Sequence, residues 1–494
     1  MNDRPRESKP ASMSAEEFRR AGHALVDWIA GYQSTIEKRP VLPAVKPGEI
    51  FDAMPPAPPQ SAEPWDAIWR DVERLVVPGL VHWQSPMFFG YFPCNASYPA
   101  ILGDMLATGM GVNGFLWANC PAMTEVEART TDWMAELLGL PGKFTFAGSG
   151  GFARGTGGGV IQTTASEATL VAMVAARHRV MRETGGDSRR LVAYASSQAH
   201  SSVLKGALIS GIGRENLRLI GVDESLAMRP ELLEEQMRRD EAAGMLSFFV
   251  CATTGTTSTG ALDPIRGIAE ACRRAGTRGM WLHVDAAYAA AACVCPEFRV
   301  MLDGVELADS IVFNPHKALL VNFDCSCFWT ADRASMIESM SVSPAYLRNA
   351  ASASGQAVDY RDWQVPLGRR FRALKLWFVM RRYGSEGLRE HVRNHDRLAA
   401  LFESLMRADA GFELPTPRCF GLVCFRLRGD DAANRAIVER LNAGREILVT
   451  PTVVPIGPGG EDRVVLRLAV GATGVEERHI RRAWDLIMAA ARAS

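Results

Sequence analysis

From about residue 98 to residue 374 the chain alternates between two hydrophobic rhythms. "ASEATLVAMVAARHRVM" carries its apolar residues at helical spacing, and the "RLVAYAS" that follows is short and apolar throughout, as a buried strand is. "SSVLKGALISG" then reads as a helix ended by glycine, "MLSFFVCAT" as a strand, "DPIRGIAEACRRAG" as a helix and "MWLHVDAAY" as a strand. This alternation predicts an α/β fold, with a mostly parallel sheet in a large domain and helices on both faces. Functional residues in such sheets belong in loops at the carboxyl ends of strands.

The flanks follow other patterns. Ser14-Ala15-Glu16-Glu17 is a capping box, with Met13 and Phe18 placed as a hydrophobic staple. The helix it predicts runs to about Tyr32, with Phe18, Leu25, Ile29 and Tyr32 as its apolar stripe. "RPVLPAVKPGE" and "MPPAPPQSAEP" then read as proline-rich extended chain. Such a segment, residues 1–97, has to lay its stripe on something else, and a second subunit is one candidate. Residues 98–374 form the large domain. Residues 375–494 read as a small α+β domain, with a long helix from about Leu376 to Met406, strands "GLVCFRLRG" and "VVLRLAV", and a last helix capped from Thr473-Gly474-Val475-Glu476.

Composition narrows the function. Lys plus Arg and Asp plus Glu number 55 each in 494 residues, so the formal charge is zero and no overall basic field favours nucleic acid or an anionic membrane. The ten cysteines include no C-x-x-C, and Cys293/Cys295 and Cys325/Cys327 sit in apolar, strand-like stretches that suit core packing in a reducing compartment. No metal site is expected. The opening "MNDRPRESKP" lacks the apolar region of a secretory signal, so a cytosolic location is expected.

Four stretches carry reactive side chains. In "IVFNPHKALLVNFDCSCFW", Lys317 sits in a run that otherwise reads as buried. Taken alone it could be a strand-end lysine reaching solvent, because a buried ammonium is costly. "GGGVIQTTASEATL" brings Thr164, Ala165 and Ser166 to a helix N-terminus, where N–H groups and hydroxyls suit a phosphate unless they only cap the helix. The nearby Gly148-Ser149-Gly150 and Gly155-Thr156-Gly157 read as a flexible surface insertion, since no strand feeds them. His200 in "SSQAHSSV" follows a strand, and Asp285 in "WLHVDAAY" ends one and requires a cationic partner. The small Ala286 and Ala287 after it would let a flat ring approach closely. Together the four stretches specify pyridoxal phosphate: a lysine for its aldehyde, a carboxylate for its pyridine nitrogen, a flat partner for its ring and an anion cradle.

"NPHKALLVNFDCS", "LHVDAAYA", "QAHSSV", "GGGVIQ", "HWQSPMFFGYFP" and "PLGRRFRALKLWF" resemble the aromatic-L-amino-acid decarboxylases, the group II pyridoxal-phosphate decarboxylases, over nearly the whole chain. The resemblance implies a fold-type-I enzyme with a seven-stranded sheet, working as a homodimer whose N-terminal segment wraps the other subunit. It implies that Lys317 bonds the cofactor, Asp285 pairs with the pyridinium, and His200 stacks on the ring. Thr164, Ala165, Ser166, Thr257, Ala287, Asn314 and His316 match further cofactor contacts. Trp83, Tyr91, Phe92 and Pro93 match the substrate wall, Phe115 a residue reaching in from the other subunit, and Tyr346 in "SPAYLRNA" the loop acid that protonates Cα. Gly368 matches a position where histidine-using relatives carry serine and users of bulky rings carry glycine. Asn113 and Cys94 depart from animal relatives, which carry an aliphatic residue and threonine there.

The expected reaction is decarboxylation of an aromatic L-amino acid (dopa, tryptophan, 5-hydroxytryptophan, with tyrosine or phenylalanine also open) to its amine and carbon dioxide. The rivals are an aldehyde synthase, which the same scaffold becomes when the loop tyrosine is phenylalanine or the stacking histidine is asparagine, and glutamate decarboxylase or an aminotransferase. A pyridoxal-phosphate-binding protein without activity is a further reading, with no lost catalytic residue to support it. His391 and His395 have zinc-protease spacing, but Val392 stands where glutamate is needed, and they read as a solvated helix face. Glu297 reads as structural.

Overall fold

The computed structural model describes residues 13–277, 279–342, 351, 354–456 and 460–493. Its large sheet has seven strands: β1 (Gly158–Gln162), β2 (Leu191–Ser196), β3 (Leu217–Ile220), β4 (Leu246–Thr253), β5 (Trp281–Asp285), β6 (Ser310–Phe313) and β7 (Ser326–Thr330). They lie in the order β1-β7-β6-β5-β4-β2-β3. β3, β2, β4, β5 and β6 pair in parallel, while β7 runs antiparallel to both β6 and β1. β1 therefore points the same way as β6. The carboxyl ends of β1, β2, β4, β5 and β6 share one edge, where the register sets Thr253 beside Asp285 and Asp285 beside Val312.

Both faces of this sheet are buried, which is why its strands read as continuous apolar runs rather than alternating ones. Helix Ala165–Thr184 packs on one face with Val171, Ala172, Ala175 and Ala176 fully buried, and helix Pro121–Leu138 contributes Met134, Ala135 and Leu138. The glycine run before β1 answers a packing demand: a Cβ on Gly157 would lie 1.9 Å from the Lys143 carbonyl oxygen, and one on Gly159 would meet Trp329. The flexible-insertion reading therefore stops short of Gly157, because the run feeds directly into an edge strand of the sheet.

The small sheet comprises β8 (Phe412–Glu413), β9 (Leu422–Leu427), β10 (Thr450–Pro455) and β11 (Asp462–Ala469), antiparallel in the order β10-β11-β9-β8. β10 escaped the pattern reading because Pro451 and Pro455 interrupt it; both are tolerated on an edge strand. Helix Ala373–Arg407 bridges the two cores. It breaks at Gly384 (φ +65), buries Leu376, Val379, Leu388 and Val392 in the large core, and buries Leu398, Phe402 and Met406 in the small one.

Other details differ from expectation. The last helix, Glu477–Arg492, is capped by Glu476 with His479, while the Thr473 hydroxyl donates to the Ala96 carbonyl. His395 is buried and its ring lies 4.2 Å from that of His391, so this helix face is packed against protein rather than solvated. Cys293 and Cys295 belong to a buried 3-10 turn and its cap, not to a strand. Glu297 pairs with Arg393 at 2.7 Å.

The N-terminal helix is Ala15–Thr35, and its capping box forms in both directions: Glu17 N–H to Ser14 Oγ at 3.2 Å, Ser14 N–H to Glu17 Oε2 at 2.8 Å. None of its 21 residues is buried, and both Met13 and Phe18 are exposed. No described helix is long and apolar enough to cross a membrane.

Candidate active site

Each site residue follows from a strand ending at the shared edge. Thr164 lies two residues after β1, His200 four after β2, Thr257 four after β4 and Lys317 four after β6, while Asp285 is the last residue of β5. They line one cavity of about 200 Å³ together with Ala165, Ser166, Ala287, Asn314 and His316. All ten residues assigned to the cofactor from the sequence are thus brought together by topology. Thr253, Gly255 and Tyr288 line it too, and sequence reading missed them. Gly255 had a readable signal beside Thr257: its φ is +86, and a Cβ there would lie 2.6 Å from that of Ala289.

Asp285 is 5% exposed; its Oδ1 accepts the Ala287 N–H at 3.1 Å, and no ion pair with it forms among the described residues. A carboxylate in that position requires a cation from elsewhere. At the opposite rim, Thr164 is the N-cap of helix Ala165–Thr184, yet its hydroxyl makes no capping bond. The free hydroxyl and the Ala165 and Ser166 N–H groups, which no preceding turn satisfies, make an anion cradle at the start of a 20-residue helix. This removes the capping alternative for Thr164.

His200 Nδ1 accepts the Ser202 N–H at 3.1 Å and lies 2.9 Å from Ser202 Oγ, which fixes the ring and leaves Nε2 to carry the proton. Burial lowers its pKa, Asp285 opposes that shift and Lys317 adds to it, so the imidazole is neutral at neutral pH. His316 Nδ1 lies 2.7 Å from the Cys325 carbonyl oxygen and 3.1 Å from the Cys325 backbone nitrogen, and burial takes its pKa down to about 4. Asn314 Oδ1 accepts the Ser326 hydroxyl at 2.6 Å, tying the segment before Lys317 to β7. Lys317 is partly accessible, facing the cavity it lines. Burial pushes its pKa down to about 8, with Asp285 acting in the opposite sense and Arg467 in the same sense.

None of the four predicted wall residues lines this cavity, and they differ in burial. Phe92 is buried, stacks on Tyr288 with centroids 3.6 Å apart, and has Lys317 Nζ 5.1 Å from its ring centroid. Pro93 packs against Gly471, where a Cβ would lie 2.1 Å from its ring. Trp83 and Tyr91 stack on each other at 5.6 Å but are exposed and stand outside the cavity lining. Phe115 and Gly368 also stand outside it: the Phe115 carbonyl accepts the Arg361 N–H at 3.1 Å, and a Cβ on Gly368 would lie 3.5 Å from Asn113 Nδ2. Tyr346 lies outside the described residues.

Comparison with known proteins identifies the family. The pyridoxal-dependent decarboxylase conserved domain matches residues 47–428. The chain belongs to that family. The decarboxylase is 47% identical to the aromatic-L-amino-acid decarboxylase of Bos taurus and 45% identical to the phenylacetaldehyde synthase of Arabidopsis thaliana, each match covering 96% of both chains. A crystal structure of Oryza sativa TDC with PLP and tryptamine superposes with a TM-score of 0.92 at 43% identity, covering 98% of this chain and 99% of that one. Fold type I and its cofactor, pyridoxal phosphate, follow for this decarboxylase. The residues present fit that group: an unpaired buried carboxylate for the ring nitrogen, an uncommitted hydroxyl at a helix N-terminus for the phosphate, and a lysine in the same cavity.

Proposed function

We propose that the protein decarboxylates aromatic L-amino acids to their amines, with dopa, tryptophan and 5-hydroxytryptophan as the favoured class. The observation that carries this is one cavity lined by Lys317, ion-pair-free Asp285 and the open helix end at Thr164, with Lys317 Nζ 5.1 Å from the ring centroid of buried Phe92. When bound, pyridoxal phosphate supplies the sink for the electron pair left on Cα as carbon dioxide departs. Lys317 holds its aldehyde until substrate arrives. Asp285 keeps the proton on the ring nitrogen, and Thr164, Ala165 and Ser166 hold the phosphate. His200, Ala287 and Thr257 bound the ring, while Asn314 and His316 add cofactor contacts beside Lys317. Tyr346 donates the proton to Cα.

A second copy of the chain completes the pocket in this reading. Support comes from the wholly unburied helix Ala15–Thr35, and from Leu102, Met105, Leu106 and Met110, which form an exposed apolar face on helix Tyr98–Met110. Phe115, which the resemblance gives to the other subunit's pocket, lies outside its own chain's cavity. Sedimentation equilibrium should give a dimer; a fully active monomer refutes this part.

The aldehyde-synthase reading remains relevant because the Arabidopsis relative and a Rhodiola rosea 4-hydroxyphenylacetaldehyde synthase (TM-score 0.88, 39% identity) share this fold. Retention of Tyr346 and His200 favours the amine. The test is product identity under air across a substrate panel, with amine, aldehyde, carbon dioxide and peroxide all quantified. Aldehyde and peroxide as main products would overturn the proposal.

A further inference from the structure

Arg467 stands in the middle of β11 and is only 5% exposed. Its Nε donates to the Ser258 carbonyl at 3.0 Å, and Nη1 donates to the Gly90 carbonyl at 3.1 Å and Thr450 Oγ1 at 3.2 Å. Nη2 has no partner. Every acceptor is neutral, and no carboxylate lies within ion-pair distance among the described residues. A buried guanidinium without a counter-charge is strongly unfavourable, so its retention calls for a reason beyond packing. The location suggests one. The guanidinium carbon is 5.3 Å from the Phe92 ring centroid, and Lys317 Nζ is 5.1 Å from the same centroid. Two cationic side chains, one from each domain, share a single aromatic ring.

We propose that Arg467 is a positioning residue whose fixed charge, set against the same Phe92 ring as Lys317, disfavours the protonated form of the Lys317 side chain, and which pins the Thr257–Ser258 turn to the small domain. The inference rests on the reading that Lys317 bonds the cofactor. For that bond to form, the nitrogen lone pair must attack the aldehyde carbon and water must leave; a proton on the nitrogen occupies the lone pair. Arginine stays charged throughout the working pH range, so its repulsion is constant. Asp285 from β5 works against it, attracting a proton to Lys317, while His200 and His316 are the other titratable groups near the amine. Tyr288, Tyr91 and Cys424 face Arg467 itself, and burial raises the pKa of Tyr288 and of Cys424, which keeps both neutral at neutral pH. The turn is held three times over, since the Cys424 thiol also reaches the Ser258 carbonyl and the Thr452 hydroxyl donates to Ser258 Oγ at 3.1 Å. Loss of the Arg467 charge alone therefore leaves the turn anchored.

The test uses the apoenzyme and pyridoxal phosphate, with the capture rate followed by visible absorbance from about pH 6 to about pH 10. Below its midpoint Lys317 is protonated and capture is slow; above it capture is fast. Wild type should show a midpoint near 8. Arg467→Lys, which keeps the charge, should match it. Arg467→Gln, which keeps hydrogen-bond donors but not the charge, should move the midpoint up by about one unit and slow capture at pH 7 roughly tenfold. An unchanged midpoint in Arg467→Gln overturns the proposal, as does an effect confined to substrate KM, which would make Arg467 a substrate contact. If Arg467→Gln does not fold, Arg467→Met takes its place with the same expected rise, and a wild type that shows no midpoint up to about pH 10 overturns the proposal by itself. Capture by Lys317→Ala with the same visible band would instead overturn the assignment of Lys317, and this inference with it.

Discussion

The Glu127–Arg369 pair offers a prediction that tests the scaffold behind the substrate wall. Arg369 Nη2 lies 2.6 Å from Glu127 Oε1, and the two side chains are 1% and 0% exposed. Arg369 also donates to Gln364 Oε1 at 2.7 Å and the Ile161 carbonyl at 2.9 Å, while Glu127 accepts the Ile161 N–H at 2.7 Å. The Arg369 backbone N–H donates to Asn113 Oδ1 at 2.9 Å, one residue from Gly368. The pair thus joins β1, helix Pro121–Leu138 and the Asn113/Gly368 wall. Charges about 4 Å apart attract by about 4 kcal/mol at an effective dielectric near 20, and desolvation of both ions takes back much of that. Glu127→Gln removes one partner and strands the guanidinium, which costs roughly 3–5 kcal/mol. Glu127→Gln with Arg369→Met removes both charges and should recover about 2 kcal/mol or more of that loss. The assay is urea unfolding of the cofactor-loaded protein at fixed cofactor and protein concentration. A single variant within about 1 kcal/mol of wild type, or a double variant worse than the single by the full arginine contribution, would refute the reasoning. Because Asn113 and Gly368 shift with Arg369, KM for large aromatic substrates should rise in Glu127→Gln while cofactor absorbance persists.

Four further outcomes are expected. Lys317→Ala should abolish turnover and the cofactor's visible band, and multiple turnovers by this variant would sink the active-site assignment. Asp285→Ala should lose several orders of magnitude in kcat, as an ion-pair-free carboxylate that keeps a ring nitrogen protonated has no substitute nearby; near-normal rates in Asp285→Asn and Asp285→Ala would remove that role. Tyr346→Phe should leave carbon dioxide release intact and divert product to aldehyde under air, so an unchanged amine yield would exclude Tyr346 as the proton donor. Gly368→Ser fits sterically, at 3.5 Å from Asn113, and should raise KM for dopa and tryptophan several-fold with little effect on histidine; equal effects on all substrates would show that Gly368 does not set ring size.

Much of this protein could be read along the chain because its signals are local. Alternating apolar runs predict β2, β4 and β5 and their helices to within a few residues, since strands buried on both faces cannot tolerate polar positions. Lys317 and Asp285 were conspicuous for the same reason: a charge in an apolar run needs an explanation. The cap at Ser14 depends only on residues three apart, and it formed as read. What the sequence could not decide depends on partners distant in the chain. Whether Thr164 caps its helix or stands free is a matter of one rotamer and its surroundings. His391 and His395 look like a wet helix face until the loop after Lys317 and the turn near Ala472 close over them. Arg467 carried the same warning as Lys317, a cation in the apolar run "VVLRLAV", but only the docking of the small domain shows which ring it shares. The sequence by itself determined which residues are costly to bury. The tertiary structure decided which of those costs meet in one cavity, because that depends on strand order and domain packing rather than on any spacing along the chain.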